Sequence, residues 1–296
     1  MKVKGLAALK SGGPLEPFNF ERRTTGPKDV AFKITHAGIC HSDIHQVREE
    51  WGPALFPMVP GHEIVGLVTE VGDAVSKFEV GDRIGVGVFI DSCRECEPCL
   101  NGQQNYRDKG MTGTYNGYER DGKTIAFGGY SNGFVIDQNY AVTIPENLDM
   151  AGVAPLLCAG ITLYSPIKHF KVGPGMKVAV MGLGGLGHMG VKFASALGAE
   201  VTVISHSENK KADALRMGAK DFVVIKNKED LKPHQFVQFT IFDNKSFPYG
   251  RSLLDGLKNA ADHLMTVEAL LALVALVAVA ALPPIERLEA VPVKPV

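Results

Sequence analysis

Lys177-Val178-Ala179-Val180-Met181-Gly182-Leu183-Gly184-Gly185-Leu186-Gly187-His188-Met189-Gly190 is the stretch that decides the fold. Val178 to Met181 is a short apolar run, and glycines at 182, 184 and 187 follow it with Gly-x-Gly-x-x-Gly spacing. In that spacing the first glycine permits a tight turn, the second lets backbone approach a pyrophosphate, and the third lets a helix pack closely on the strand. The helix N-terminus then adds free N–H groups and a positive dipole end for phosphate. A glycine-rich hexamer alone is weak; the strand before it and the helix after it make it a dinucleotide loop. Gly182, Gly184, Gly185, Leu186 and Gly187 are the candidate loop residues.

Outward from this loop, residues 177–181, 185–197, 201–204, 208–217 and 222–225 alternate strand and helix, the rhythm of parallel βαβ units. Gly198 and Gly218 each end a helical stretch where a C-terminal cap wants positive φ, and Ser207 stands where an N-cap side chain is needed. The end of the 201–204 strand selects the cofactor, because a carboxylate there would bind the adenosine ribose of NAD. Here Ser205, His206 and Ser207 precede Lys210 and Lys211, and hydroxyls with a lysine suit a 2′-phosphate. NADP is the preferred reading, contacted by Ser205, Ser207 and Lys210. A helix-capping serine followed by solvated lysines explains the same residues without a ligand.

Upstream, from about residue 3 to 144, short β-rich runs such as 30–34 and 63–71 are punctuated by glycine and proline, which predicts a mostly β domain. The rhythm changes near residue 150. The expected fold class is therefore α/β: a β domain over 1–150 and a doubly wound parallel sheet over 151–296. A chain of 296 residues can bury two such cores, and 45% hydrophobic with 21% charged residues excludes disordered and collagen-like classes. A formal net charge of -1 gives no footprint for nucleic acid or an anionic membrane, so a small ligand is the expected partner. The N-terminus carries no secretory pattern and the apolar run 269–282 is shorter than the roughly 18 to 20 residues of a membrane span, so a cytoplasmic chain is expected.

Five cysteines is an odd number, and Cys93, Cys96 and Cys99 lie too close together for a disulfide framework, so metal ligation explains them better. Cys40-His41-Ser42-Asp43-Ile44-His45 follows one predicted strand, and Gly61-His62-Glu63 precedes another. Cysteine and histidine suit a borderline-soft zinc ion. Taken alone, Cys158 reads as a buried apolar cysteine.

Taken together, these motifs resemble one family. Gly61-His62-Glu63-Ile64-Val65-Gly66 continues to Gly72 and Val75 and then to Phe78-Glu79-Val80-Gly81-Asp82-Arg83, and it is joined by 38–43, 154–162 and 182–190. Over about residues 1–235 the chain resembles the zinc-dependent medium-chain alcohol dehydrogenases, in their cinnamyl-alcohol-dehydrogenase-like, NADP-dependent branch. The resemblance implies a GroES-like β domain and a Rossmann coenzyme domain. It implies Cys40, His62 and Cys158 as catalytic zinc ligands, with Glu63 an occasional or supporting one. It also implies hydride transfer between a primary alcohol or aldehyde and NADP(H), with Ser42 and His45 relaying the proton through the cofactor ribose; Asp43 reads as orienting a ligand histidine rather than taking part in chemistry.

Two departures stand against the pattern. The family's structural zinc would take Cys93, Cys96, Cys99 and a fourth cysteine at a position where this chain has Arg107, which has no lone pair to offer; the lobe has lost a ligand, or has recruited Asp108 or water. Beyond 225, only 236–242 reads as a further strand. A turn-like stretch 243–250 follows, and 252–282 reads as an Ala/Leu/Val-rich helix ended by Pro283-Pro284. Residues 269–282 are apolar on every face and must be buried or associate, which allows a homodimer. The expectation is a truncated, frameshifted or engineered C-terminus. An alternative to the active enzyme is therefore a catalytically impaired nucleotide- or metal-binding relic, or an engineered variant. The specific alcohol is not legible.

Overall fold

The computed structural model describes residues 1–106 and 112–226 together with the backbone of 239–242. Arg107, Asp108 and the expected 243–250 turn and 252–282 helix lie outside the described residues. The chain divides into two compact units, Met1–Ile161 and Thr162–Val296.

The first unit begins with the hairpin β1 (Lys2–Ala8) and β2 (Leu15–Glu21), followed by β3 (Asp29–Ala37), α1 (His41–Val47), β4 (Ile64–Val71) and β5 (Arg83–Val86). Short elements follow: β6 (Phe89–Asp91), α2 (Glu97–Leu100), β7 (Thr112–Gly113), β8 (Gly117–Tyr118) and β9 (Ile125–Ala126). The unit closes with β10 (Gly133–Asp137), β11 (Val142–Thr143) and α3 (Met150–Val153). Its main sheet has the order β10-β3-β4-β5-β11, all antiparallel. Val30, Phe32, Ile64, Val68 and Phe134 bury their side chains against one another, which accounts for the β-branched and aromatic content of these strands.

Register matters more for function than the sheet's outline. Irregularities in the β3–β4 pairing at Ala31/Phe32 and Ile34/His36 end it at Ala37↔Ile64. The chain leaving β3 therefore runs beside the chain entering β4, and the Gly38 N–H donates to the Glu63 carbonyl at 2.8 Å. On the other side β5 pairs Val86 with Ile64. The turn 154–157 packs there, so that a side chain on Gly85 or Gly87 would collide with Leu157.

Arg22 pins the strand ends of this unit. It is 8% exposed and donates from Nε to the Gly133 carbonyl, from Nη1 to Phe127 and from Nη2 to Gly128 and Ser131 Oγ. Its guanidinium lies 4.0 Å from the Phe134 ring centroid, and burial lowers its pKa to about 9. Arg22→Met should take this donor from the Phe127 carbonyl and leave Gly128 and Gly133 to share the Ser131 hydroxyl. A loss of about 2–4 kcal/mol is expected, read as a lower urea midpoint at unchanged slope.

Bridging into the second unit is α4 (Ala159–His169), followed by β12 (Lys177–Met181), α5 (Gly185–Ala196), β13 (Glu200–Ser205), α6 (Lys211–Arg216), β14 (Asp221–Val224) and β15 (Phe239–Phe242). The expected strands and helices appear with small shifts in their ends. Gly198 and Gly218 take φ of 89° and 106°, as helix-terminating residues should. Ser207 departs from expectation. Its backbone holds the N-cap position but its side chain makes no capping bond; instead its N–H donates to Ser205 Oγ at 3.1 Å. The expected 208–217 helix accordingly opens as a 3₁₀ turn, Glu208–Lys210, before α6.

The parallel sheet has the order β14-β13-β12-β15. The chain steps outward from β12 to β13 and β14, then returns to the other side of β12 as β15. That reversal is a topological switch point, where sheets of this kind hold a ligand beyond the strands' carboxyl ends. Of the expected 236–242 strand, the part that is described supplies this return.

Candidate metal centre

Two loops and a turn supply the site, and the register of β3 and β4 explains why they meet. Cys40 is the N-cap residue of α1, three residues after β3 ends, while His62 and Glu63 immediately precede β4. Cys158 follows the 3₁₀ turn Ala154–Leu157, with its N–H donating to the Pro155 carbonyl at 3.4 Å. One ligand atom each from Cys40, His62, Glu63 and Cys158 lies within 4.8 Å of the others. His62 and Glu63 are each 3% exposed, and the two cysteines are half-buried. The sequence-predicted ligands are thus brought together, Glu63 among them rather than behind them.

Asp43 organises this cluster. It is 3% exposed; its Oδ1 accepts from Gly61 N–H at 2.9 Å and faces His62 Nδ1 at 3.0 Å. Its Oδ2 accepts from Cys40 N–H at 3.2 Å and the Tyr130 hydroxyl at 3.1 Å. One carboxylate therefore fixes both loops, and its bond to Nδ1 leaves Nε2 as the ring nitrogen that would serve a metal once its proton is displaced. Burial works against ionisation of Asp43, yet the bonds from His62, Gly61 and Tyr115 hold its pKa below the usual carboxylate range. Tyr115 stacks on the His62 ring at 5.9 Å.

Glycine is required at two points around this network. Gly61 has φ +102°, and a side chain there would strike Tyr130. At Gly38 a Cβ would occupy the space of the Glu63 carboxylate. Gly38→Ala should therefore push Glu63 out of the cluster without removing a ligand cysteine or histidine. The expected result is weaker zinc retention against a chelator, with a folded chain by circular dichroism.

The electrostatics favour a cation. The Cys40 thiol is pulled down to about 3, chiefly by the hydrogen bond from the Cys158 thiol, against burial and with help from His62 and Ser42. Cys158 is pushed up by the same bond and by burial, so the pair shares one proton. Burial and the neighbouring Cys40 raise Glu63 to about 7, while burial opposes but Asp43 and Cys40 raise His62 to about 10. A metal would displace the proton shared by the two cysteines and the proton on His62, leaving the thiolate, carboxylate and imidazole donors of a zinc site.

Ser42 Oγ lies 3.5 Å from Cys40 Sγ. One turn further along α1, His45 pairs through Nδ1 with Glu50 and stacks on Trp51 at 4.8 Å. His41 packs against His45 at 4.6 Å. Sequence reading missed Glu50, Trp51, Tyr115 and Tyr130, which carry no local pattern linking them to the ligands.

In the second unit, Gly182 turns the chain out of β12 with φ +87°, and its N–H donates to the Ile204 carbonyl at 2.8 Å. Gly184 is the N-cap of α5, Gly185 faces open space, Leu186 packs on the core of this unit, and Gly187 is buried. Ser205 ends β13 at 6% exposure, and Lys210 Nζ donates to the Leu183 carbonyl at 3.0 Å within the glycine loop. Lys210 is thus tied to the glycine loop, and Ser207 to Ser205 at the end of β13.

Cys93, Cys96 and Cys99 form a second sulfur cluster, again with ligand atoms within 4.8 Å of one another. Cys93 Sγ lies 3.2 Å from Cys96 Sγ and 3.6 Å from Cys99 Sγ.

Residues 26–146 match the alcohol dehydrogenase GroES-like domain family and residues 185–236 the zinc-binding dehydrogenase family. An NADP-dependent alcohol dehydrogenase C from Mycolicibacterium smegmatis is 55% identical over 77% of this chain, which spans 65% of that relative's length. A probable mannitol dehydrogenase from Fragaria ananassa is 50% identical over 90% of this chain and 75% of its own length. That alignment runs on past residue 235, into the stretch where the sequence pattern had ceased to match. Among solved structures, CAD from Helicobacter pylori complexed with NADP(H) superimposes with a TM-score of 0.80 at 44% identity, over 90% of this chain and 73% of that one.

Proposed function

Because the chain belongs to the zinc-binding alcohol dehydrogenase family, we propose that it interconverts a primary alcohol and its aldehyde, using zinc held by Cys40, His62 and Cys158 and NADP(H) as hydride partner. The observation that carries this reading is the convergence of those ligands around a histidine whose tautomer Asp43 fixes. Zinc there would supply Lewis acidity that polarises the alcohol oxygen. Bound NADP would supply the hydride acceptor.

The remaining work falls to side chains of this chain. Asp43 keeps His62 from swinging and holds the Cys40 and Gly61 backbone, so the ligand loops are set before a metal or substrate arrives. Glu63 completes the cluster as the one carboxylate among its members, and it would be available to zinc beside the two cysteines and His62. Ser42 passes the alcohol proton from beside Cys40, and His45 delivers it to solvent, its ring held by Glu50 and Trp51. In the second unit the glycine loop and the α5 N-terminus would hold the pyrophosphate, and Ser205, Ser207 and Lys210 would hold the 2′-phosphate. A cytoplasmic setting accords with five free cysteines. Among the described residues no single helix is long and apolar enough to cross a membrane.

A panel of aliphatic and aromatic aldehydes, assayed with NADPH and with NADH, tests the reading. Turnover should favour NADPH on whichever aldehyde is best. Ser205→Asp should reverse that preference by about a hundredfold, because the new carboxylate repels the 2′-phosphate and accepts from the ribose hydroxyls. It can still accept the Ser207 N–H, so the turn is preserved. Equal use of both cofactors by the unaltered chain removes the argument from Ser205. No turnover with any aldehyde favours the nucleotide- or metal-binding relic.

A further inference from the structure

The lobe carrying Cys93, Cys96 and Cys99 does not fit the four-cysteine zinc that the family resemblance implies. The chain has five cysteines, and Cys40 and Cys158 belong to the other cluster, so no fourth thiolate exists for this one. Arg107 occupies the corresponding place in the sequence, and a guanidinium offers a metal no lone pair. Structural zinc is almost always four-coordinate. With three sulfurs it would be left to water or a carboxylate.

The three sulfurs are nevertheless held as a set. Cys93 accepts backbone N–H groups from Glu95 and Cys96, Cys96 is the N-cap residue of α2, and Cys99 is buried within that short helix. Between the first two cysteines, Arg94 takes the left-handed conformation at φ 62°. Its side chain ties the loop to the sheet: Nε and Nη2 donate to Asp91 Oδ1 at 3.0 and 2.9 Å, and Nη1 donates to Asp137 Oδ2 at 2.8 Å. The guanidinium also lies 5.3 Å from the Tyr140 ring centroid. Protein contacts thus do the bracing that a fourth ligand would otherwise provide. A braced three-thiolate face matches a soft ion content with three sulfurs better than a borderline ion that wants four donors.

We propose that Cys93, Cys96 and Cys99 form a three-thiolate site for a soft monovalent ion, copper(I), in place of a structural zinc. Binding releases the remaining thiol protons to solvent and involves no change of oxidation state. The site stands apart from the Cys40–His62–Cys158 cluster, so its failure would leave the dehydrogenase reading untouched.

Anaerobic titration of the full-length, zinc-loaded chain with copper(I) provides the test, with metals counted after gel filtration and copper's neighbours read by X-ray absorption. The expected result is a single copper with three sulfur neighbours while the zinc at Cys40, His62 and Cys158 stays in place. Cys96→Ser should lose the copper and keep that zinc. Arg107→Cys, with a fourth thiolate restored, should take up a second zinc and lose its preference for copper. A second zinc that the unaltered chain keeps against copper(I) would overturn the proposal, as would copper uptake that neither substitution changes.

Discussion

Cys158→Ala is expected to remove the catalytic zinc and lower turnover by about a thousandfold or more, with NADPH binding retained. The magnitude follows from the several kcal/mol that a metal contributes to charge stabilisation, at about 1.4 kcal/mol per factor of ten. Cys158 is a cleaner choice than Cys40, which also begins α1, because it follows a short turn and ends no sheet strand. The thiol that shares its proton with Cys40 would be gone, and Cys40 would face the remaining ligands alone. Zinc per chain, initial rates with aldehyde and NADPH, and fluorescence titration of NADPH together read the result. Full zinc content with ordinary turnover in the variant would show that Cys158 is a packing residue.

Asp43→Ala should cost both metal and fold. Alanine would leave Gly61 N–H, Cys40 N–H and His62 Nδ1–H without their acceptor, and the Tyr130 hydroxyl with only the Gly38 carbonyl at 3.4 Å. Leaving a buried donor unsatisfied costs about 1–3 kcal/mol, so a total loss of about 3–5 kcal/mol is expected after partial relaxation. Zinc affinity should fall about 10–100-fold, because His62 is then free to rotate and to carry its proton on either nitrogen. Asparagine at this position should rescue stability in part and affinity less, since its amide N–H₂ would oppose one of the donors that the carboxylate now accepts. Urea unfolding and competition with a zinc chelator measure the two effects separately. An unchanged zinc affinity in Asp43→Ala would sink the account of how the site is organised.

Much of the second unit was legible because its signals are local. Val178 to Met181, the glycines at 182, 184 and 187, and Gly198 and Gly218 each act within a few residues of where they stand. Ser207 shows the limit of such reading. Its position said N-cap, but Ser205 Oγ competed successfully for its N–H, and the helix began as a 3₁₀ turn. The metal centre was legible only through the resemblance of several motifs at once. No spacing rule brings Cys158 to His62, since their meeting depends on β3–β4 register and on the turn 154–157 packed over β5. Tyr130 reaching Asp43 across 87 positions, and Arg22 reaching Gly133 across 111, are long-range bonds with no periodic trace in the chain. Glu50 beside His45 was within reach of inspection, yet nothing in the residue types marked it.

The most direct test of the central claim is a single assay: NADPH consumption by the full chain with a primary aldehyde, before chelation, after chelation, and after zinc is returned. The account predicts turnover that disappears with the zinc bound at Cys40, His62 and Cys158 and returns with it. Consumption of NADPH that survives the complete removal of zinc would contradict it, as would a zinc-loaded, folded protein that binds NADPH and reduces no aldehyde.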